Sequence, residues 1–306
     1  MNRPLLIVIT GATASGKSAL AVDLASRLGC DIISADSRQI YRDIPIGTAA
    51  PSAEELAAVR HHFVGMLGLD EYYSAARFEE DVMNLLPELW RKNDVAVMCG
   101  GSMMYVDAVT DGIDNLPTIT DGVRNRVKAM LADLGLDAVM AMLRVLDPVY
   151  ADEVDPANTK RVVHALEICL QAGRPYSELR QGERKRRPFD IVKVAIDLPR
   201  EQLFDRINRR VDAMIDAGLL DEARCVYPLR HLNSLNTVGY KELFAYFDGT
   251  MNLDTAIARI AKNTRVYAKK QLTWLARPSV RPTTFLSPAT TTEQVLDIIH
   301  KYPQTV

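Results

Sequence analysis

The apolar positions in the first hundred residues fall into short continuous runs separated by segments with helical spacing. Three of these runs contain β-branched residues and predict strands that are buried on both faces. They are residues 5–10, 31–35 and 94–99. Leucine recurs at every fourth position from Leu20 to Leu28, and Gly29 follows where a helix is expected to end. Strands that alternate with helices predict a parallel sheet with right-handed crossovers.

The same patterns predict further elements along the chain. Ser52 and Glu55 form a capping-box pattern that opens a helix to about Arg60. The residues after about 280 predict a strand and a short helix. The other predictions are helices at 76–90, 200–217, 237–247 and 253–275 and a strand at 191–198.

The character of the sequence changes between Asp121 and about Gly182, where helical periodicity dominates and no strand signal interrupts it. The strand pattern returns at residue 191. The economical interpretation is an α/β core, residues 1–117 and 187–306, that is interrupted by an all-helical insertion at residues 118–186.

Composition excludes several classes of protein. The 306 residues are 48% hydrophobic and 25% charged, which is ordinary for a globular protein and rules out collagen-like, mucin-like and wholly disordered chains. No apolar run approaches the roughly 20 residues that span a bilayer, and the N-terminal pattern is not that of a signal peptide. The four cysteines form no C-x-x-C pair. We expect a cytoplasmic protein with reduced, structural cysteines and no membrane partner.

The charge is unevenly distributed. The whole chain has a formal net charge of −2, whereas residues 157–210 contain 13 lysines and arginines against 7 acidic residues. An excess of positive charge in one stretch of an otherwise acidic chain indicates a surface that faces phosphates.

Residues 11–18, GATASGKS, match the phosphate-binding pattern G-x-x-x-x-G-K-[ST] between a predicted strand and a predicted helix. In this pattern backbone N–H groups and the helix N-terminus surround an anion, the lysine contacts the outer phosphates and the final hydroxyl binds Mg²⁺. We therefore expect a bound di- or triphosphate, with Mg²⁺ on Ser18. The predicted phosphate-binding residues are Gly11, Ala12, Thr13, Ala14, Ser15, Gly16, Lys17 and Ser18.

The strand at 94–99 runs into Gly100, Gly101 and Ser102, so no acidic residue stands where many P-loop ATPases bind magnesium. This weakens the interpretation as an ATPase or a motor. Asp36 does follow the second strand, and ligands of open α/β sheets bind at the carboxyl ends of the strands. A carboxylate there suits a general base, although helix capping or a loop position would also explain it.

Nine segments of the sequence then narrow the function. They are GATASGKS (11–18), SADSRQIYRDIPIGTAAP (34–51), HHF (61–63), YSAARF (73–78), VMCGGSMMY (97–105), DPVYADEVDPANTKRVVHALE (147–167), RINRRVDAMIDAGLLDEA (206–223), VGYKEL (238–243) and TRVYAKKQLTW (264–274). In this order they resemble the tRNA dimethylallyltransferases, also called tRNA isopentenyltransferases, over residues 5 to about 277.

The resemblance implies a P-loop α/β fold with an inserted helical domain that helps to hold the anticodon stem-loop of tRNA. It implies transfer of a dimethylallyl group from dimethylallyl diphosphate to N6 of adenosine 37 in tRNAs that read codons beginning with U. Asp36 would act as the general base, while Lys17 and Mg²⁺ would stabilise the departing diphosphate. Arg206 and Arg210 lie on one helix face and match family arginines near the diphosphate; the alternative is an exposed basic face. The predicted catalytic residues are Lys17, Asp36, Ser102, Arg206 and Arg210.

The target adenine must leave the stacked anticodon loop to react. By the resemblance, residues 34–39 and Ser102 line its pocket. Two interpretations of Met103 and Met104 stay open. Either they line an apolar slot for the allyl group, or they pack in the core. The residues expected to contact tRNA are Asp36, Ser37, Arg38, Gln39, Ser102, Arg124, Lys160, Arg161, Arg184, Lys185, Arg186 and Arg187, together with the helix at 264–277.

Some positions depart from the family pattern. Met103 and Met104 stand where Gly and Leu are usual, Lys160 where Gln is usual and Asp155 where His is common. The first two predict a pocket of different shape, and the other two predict different contacts with tRNA.

Alternative functions stay open at this point. A P-loop kinase of nucleosides or small molecules would use Asp36 to activate a hydroxyl, and a related prenyltransferase would act on free AMP or ADP. An RNA-binding protein without activity is a non-enzymatic alternative. For the adjacent pair His61 and His62 we expect structural contacts rather than a metal site, because neighbouring side chains point apart. We expect a monomer.

Overall fold

The computed structural model describes residues 3–182, 184–280, 283–287 and 289–301. The chain divides into two compact units. Unit 1 consists of Met1–Thr110 and Arg186–Val306, and unit 2 is Asp111–Lys185.

Unit 1 is built on a parallel sheet, and its described strands number six. They are β1 (Leu5–Gly11), β2 (Ile32–Ser34), β3 (His61–His62), β4 (Val95–Cys99), β5 (Asp190–Ile196) and β6 (Thr283–Leu286). Their order across the sheet is β3-β2-β4-β1-β5-β6, and every pair is parallel. Strand β1 is central, with Leu5 opposite both Val95 and Asp190.

The described α-helices follow one another along the chain between these strands. They are α1 (Lys17–Leu28), α2 (Pro45–Thr48), α3 (Ala53–Ala58), α4 (Ala75–Trp90), α5 (Met103–Thr110), α6 (Asp121–Leu146), α7 (Pro148–Glu153), α8 (Thr159–Ala172), α9 (Tyr176–Leu179), α10 (Arg200–Asp216), α11 (Leu219–Val226), α12 (Tyr240–Phe247), α13 (Leu253–Leu275) and α14 (Thr292–Lys301). Among the described residues, no helix is both long enough and apolar enough to cross a membrane.

Local chemistry fixes several helix ends. Helix α1 ends at Gly29, whose φ of 63° is in the left-handed region as predicted. The capping box is present, because the Ser52 hydroxyl accepts from the Glu55 N–H while the Glu55 carboxylate accepts from the Ser52 N–H. That helix is shorter than predicted and ends at Ala58, since the chain then turns into the extended residues of β3.

The central strands are buried on both faces, which explains their unbroken apolar sequence. Leu6 and Val8 point into one core cluster, which helices α4, α5 and α13 cover. Ile7 and Ile9 point into the other, which helix α1 covers with Ala21 and Leu24. The period of two between the faces is that of a β-strand.

Unit 2 contains helices α6 to α9 around its own core. Val127, Leu143 and Leu166 are fully buried there. The buried carboxylate of Asp147 caps α7 by accepting from the N–H of Tyr150, and it also accepts from the N–H and the hydroxyl of Ser177 at the start of α9. One side chain therefore joins two short helices of this unit.

Candidate active site

A pocket in unit 1 lies where strands β1, β2 and β4 end. Gly11 starts the loop after β1, Asp36 follows β2, and Gly100 follows β4. The pocket contains about 650 Å³ of empty space when its open mouth is included. Its lining includes Thr13, Lys17, Ser18, Asp36, Arg210 and Gln271.

The loop after β1 has the strained backbone of a phosphate-binding loop. The φ angles are 149° at Gly11, 63° at Ala14 and 99° at Gly16, and a positive φ is uncommon for alanine. Alternating left-handed residues turn successive N–H groups toward a common concavity that suits an anion. The Lys17 ammonium folds back over the loop and donates to the Ala12 carbonyl across 3.4 Å.

Two cations lie in this pocket with little solvent around them. Desolvation lowers the pKa of Lys17; Cys99 and Asp36 act in the opposite direction and Arg210 in the same one. Desolvation also lowers the pKa of Arg210, against the influence of Asp36. Because positive charge here is costly without a partner, an anion that enters the pocket is stabilised by both groups.

Arg206 braces the loop instead of lining the pocket. Its guanidinium donates to the Ser15 carbonyl across 3.2 Å. Arg210 lies one turn later on α10 and reaches the pocket itself. The two arginines predicted to lie near a diphosphate are therefore both at the phosphate loop, in different positions.

Asp36 combines a structural contact with an available oxygen. Its Oδ1 accepts from the N–H of Arg38 across 2.9 Å and from the N–H of Gln39 across 3.3 Å, which fixes the turn after β2. Its Oδ2 has no hydrogen-bond partner in the described part of the chain, and the residue lines the pocket. The arrangement leaves one carboxylate oxygen able to accept a proton from a bound group.

The loops after β2 and β4 are joined through Ser102. Its hydroxyl accepts from the Ser37 N–H across 2.8 Å and donates to the Ser37 hydroxyl across 3.2 Å. Gly100 permits this approach, because a Cβ there would lie 2.1 Å from the Ala35 carbonyl oxygen. Gln39 does not join this contact, because its amide donates to the Ala49 carbonyl across 2.8 Å.

Gln271 on α13 is a site residue that the sequence did not single out. Its Oε1 accepts from the Thr13 N–H across 2.8 Å, and its Nε2 donates to the Gly101 carbonyl across 2.9 Å. The neighbouring buried positions of this helix are Ala268, Trp274 and Leu275. A glutamine on the buried face of a helix is the signal that could have revealed it.

A family model described as IPP transferase matches residues 39–278 of the chain. The chain belongs to the IPP transferase family. This confirms the resemblance drawn from the nine segments. The predicted fold class, a P-loop parallel sheet flanked by helices with an all-helical insertion, is confirmed by the parallel six-stranded sheet of unit 1 and the helices of unit 2, and solved structures named for tRNA isopentenyl or dimethylallyl transfer have a similar fold.

Relatives of this IPP transferase cover nearly its whole length. The tRNA dimethylallyltransferase 2 of Parabacteroides distasonis is 53% identical over 272 residues, which are 89% of this chain and 91% of that protein. The crystal structure of the tRNA isopentenylpyrophosphate transferase from Bacillus halodurans matches with a TM-score of 0.69 and 34% identity over 97% of this chain and 95% of that one. A eukaryotic dimethylallyltransferase crystallised acting on tRNA matches with a TM-score of 0.81 and 25% identity over 98% of this chain and 80% of that one.

In this IPP transferase the histidine pair makes two unrelated contacts. Nδ1 of His61 lies 2.8 Å from the Val59 carbonyl oxygen, and Nε2 of His62 lies 2.8 Å from Oδ2 of Asp31. His61 lines the pocket. The two methionines also differ, since Met103 packs against the core while the Met104 side chain is largely exposed on α5.

The basic residues predicted to contact tRNA occupy several environments. In unit 2, Lys160 and Arg161 are exposed at the start of α8. Arg124 lies near His164, where burial lowers the pKa of the histidine and the positive charge of Arg124 lowers it further. Also in unit 2, Arg184 pairs with Asp111 at 3.3 Å and Lys185 is exposed.

In unit 1 two adjacent arginines differ sharply. Arg186 is exposed, whereas the Arg187 side chain is largely buried and forms an ion pair with Glu79. Arg38 also turns inward, because its guanidinium donates to the carbonyls of Asn233 and Ser234 across 3.2 and 3.0 Å.

Proposed function

We propose that this chain transfers a dimethylallyl group from dimethylallyl diphosphate to N6 of adenosine 37 in tRNAs that read codons beginning with U, and releases diphosphate. The observation that carries the proposal is the convergence of Lys17, Arg210 and the available oxygen of Asp36 on one pocket. The chain's family, and its relatives named for tRNA dimethylallyl or isopentenyl transfer, support the choice of substrates.

The diphosphate end of the pocket stabilises the leaving group. As the allylic C–O bond breaks, the bonding electron pair stays on the diphosphate oxygen and its charge grows. Lys17 and Arg210 already lie in the pocket, beside the loop that leads into α1, so little reorganisation is needed as the charge develops.

The acceptor end supplies a base. The exocyclic amine of adenine becomes acidic as its nitrogen bonds to the allylic carbon, and its proton passes to Oδ2 of Asp36. The second oxygen of that carboxylate stays on the N–H groups of residues 38 and 39, so the carboxylate keeps its orientation while it accepts the proton.

A magnesium ion fits the same end. Ser18 is exposed in the first turn of α1 and lines the pocket. Among the described residues no cluster of three or more His, Cys, Asp or Glu side chains could hold a metal. Mg²⁺ binds through few protein ligands, substrate phosphates and water, so in this proposal the Ser18 hydroxyl is its ligand from the protein. The ion, once bound, neutralises charge on the diphosphate.

We assign the contacts with tRNA to basic side chains. Lys160 and Arg161 of unit 2, with Arg186 of unit 1, are exposed and able to contact backbone phosphates of the anticodon stem-loop. The adenine must be turned out of the loop to reach Asp36. Ser37 and Ser102 hydrogen-bond to each other beside Asp36, and we propose that they contact the adenine once it has turned out.

One incubation tests the proposal. The purified protein is mixed with labelled dimethylallyl diphosphate, Mg²⁺ and either unmodified tRNA or AMP. Label at adenosine 37 of tRNA is the expected result. Label in AMP alone would move the acceptor to free nucleotides, and phosphate transfer from ATP without prenyl transfer would make the protein a P-loop kinase.

A further inference from the structure

A single buried amide joins the two ends of the pocket. Gln271 is 2% exposed. Its oxygen accepts from the Thr13 N–H in the phosphate loop, and its nitrogen donates to the Gly101 carbonyl in the loop after β4. The two loops follow neighbouring strands, but Gln271 comes from α13, which lies far along the chain.

Each of these contacts leads to a group of the proposed reaction. Thr13 lies in the loop whose N–H groups and Lys17 surround the diphosphate. Gly101 precedes Ser102, whose hydroxyl holds the backbone of Ser37 next to Asp36. The distance between leaving group and base is therefore set partly through one side chain.

Glutamine suits this position better than glutamate or methionine, which have side chains of similar length. The site needs one acceptor and one donor at the same end of a side chain, which a primary amide provides. An ionised glutamate would present an oxygen to the Gly101 carbonyl. A methionine would leave the Thr13 N–H without its acceptor and the Gly101 carbonyl with only the longer hydrogen bond, 3.4 Å, from the Tyr267 hydroxyl. Gly101 also leaves room for the amide, because a Cβ there would lie 2.4 Å from Nε2 of Gln271.

We propose that Gln271 is a positioning residue that holds the phosphate loop against the Ser102 loop and so aligns the allylic carbon with the acceptor nitrogen. This inference rests on the proposed transfer reaction. Reactions between two bound partners depend steeply on alignment, and a displacement of about 1 Å can cost about 100-fold in rate. Both polar atoms of Gln271 are already bonded to Thr13 and Gly101, so the residue acts through these two backbone groups.

The variants Gln271→Met and Gln271→Glu test it. We expect kcat for prenyl transfer to fall by about 10- to 100-fold in both. The affinity for inorganic diphosphate and the affinity for tRNA, each measured alone, should stay unchanged because each end of the pocket keeps its own groups. Gln271→Glu should regain activity relative to wild type as the pH falls, since a protonated carboxyl group can again donate to Gly101 and burial favours that form.

Gln202→Met is the matched control, because Gln202 is exposed on α10. It should match wild type in every measurement. An unchanged kcat in both Gln271 variants would overturn the inference. A parallel loss of kcat, both affinities and thermal stability would also overturn it, because that result describes a residue needed only for folding. Absence of transfer by the wild-type protein would instead reject the proposed function on which the inference rests.

Discussion

The guanidinium of Arg187 lies 2.8 Å from the carboxylate of Glu79, and each of the two side chains is 9% exposed. Glu79 belongs to α4, and Arg187 lies just before β5. The same guanidinium donates to the carbonyls of Ala108 and Val109 at the end of α5. This ion pair ties three parts of unit 1 together, so Arg187 differs in role from the exposed arginine beside it.

Replacing Arg187 by methionine should destabilise the fold by about 3–5 kcal/mol, because the buried Glu79 carboxylate loses this ion pair and the carbonyls of Ala108 and Val109 lose a charged donor. Arg186→Ala should change stability by less than about 0.5 kcal/mol and should weaken tRNA binding in a salt-dependent way. Urea unfolding and binding titrations at two salt concentrations measure both effects. A stable Arg187→Met protein with weakened tRNA binding would return Arg187 to the RNA-contacting set.

Asp36→Asn should lower kcat by about 10²- to 10⁴-fold, the usual contribution of a general base. The amide oxygen can still accept from the N–H groups of residues 38 and 39, so folding and tRNA binding should be kept. Asp36→Ala should lose the same activity and some thermal stability as well. Single-turnover assays with a parallel tRNA-binding measurement separate the two effects, and loss of tRNA binding in Asp36→Asn would argue against the general-base role.

Glu222 holds the segment around α2, because its carboxylate accepts from the N–H groups of Ile46 and Gly47 and from the Tyr240 hydroxyl. Glu222→Gln must turn an NH₂ toward one of these backbone donors, so we expect a loss of about 1–3 kcal/mol. Tyr240→Phe removes one hydrogen bond and should cost about 0.5–1.5 kcal/mol. Chemical unfolding ranks the two variants, and equal stability of Glu222→Gln and wild type would show that the carboxylate is dispensable.

The four cysteines should differ in reactivity. Burial raises the pKa of Cys30 and of Cys99 to about 11 and also raises the pKa of Cys169, whereas Cys225 is exposed. Only a thiolate reacts readily, so a disulfide reagent at pH 8 should modify one thiol per chain in the native protein. Cys225→Ser should abolish the fast phase. A second fast thiol would mean that the core around Cys30, Cys99 or Cys169 opens easily.

The raised pKa of Cys30 also predicts a pH dependence of stability. An unfolded cysteine has a pKa of about 8.5, and burial raises the folded value to about 11. Between these values the unfolded chain binds fewer protons than the folded one, so the free energy of unfolding decreases as the pH rises. Comparing wild type with Cys30→Ala in urea at pH 7.5 and pH 10 isolates this contribution. A difference between the two proteins that does not change with pH would contradict it.

Sequence patterns were sufficient for the central elements because burial on both faces leaves a clear signal. The runs that become β1 and β4 are apolar at odd and even positions alike, as a strand covered on both faces requires. Strand β3 gave no such signal, since it consists of two histidines and exists only by pairing with β2. The start of α12 moved from 237 to Tyr240 because Gly239 has a φ of 101°, which a helical pattern alone does not reveal.

The candidate site also contains residues that the sequence could place and residues that it could not. The phosphate loop and Asp36 could be placed at one sheet edge, because strands that end together bring their following residues together. Gln271 could not be assigned its role, since no periodic pattern states which backbone groups a distant amide will meet. The inward direction of Arg187 was hidden within a basic stretch, where an exposed and a buried arginine look the same in sequence. For such residues only the packed structure decides between solvent and a partner.

The sheet order has a consequence for how the protein is made. Strand β1 lies between β4 and β5, and it pairs with β5 along residues 5–11. On the ribosome β1 emerges first, whereas β5 begins at Asp190. One edge of a largely apolar strand therefore stays unpaired until about 190 residues have been synthesised, which is the condition in which nascent chains aggregate or engage chaperones. The phosphate loop starts at Gly11, which pairs with Ile196, so this end of the loop reaches its final position only after β5 has left the ribosomal tunnel.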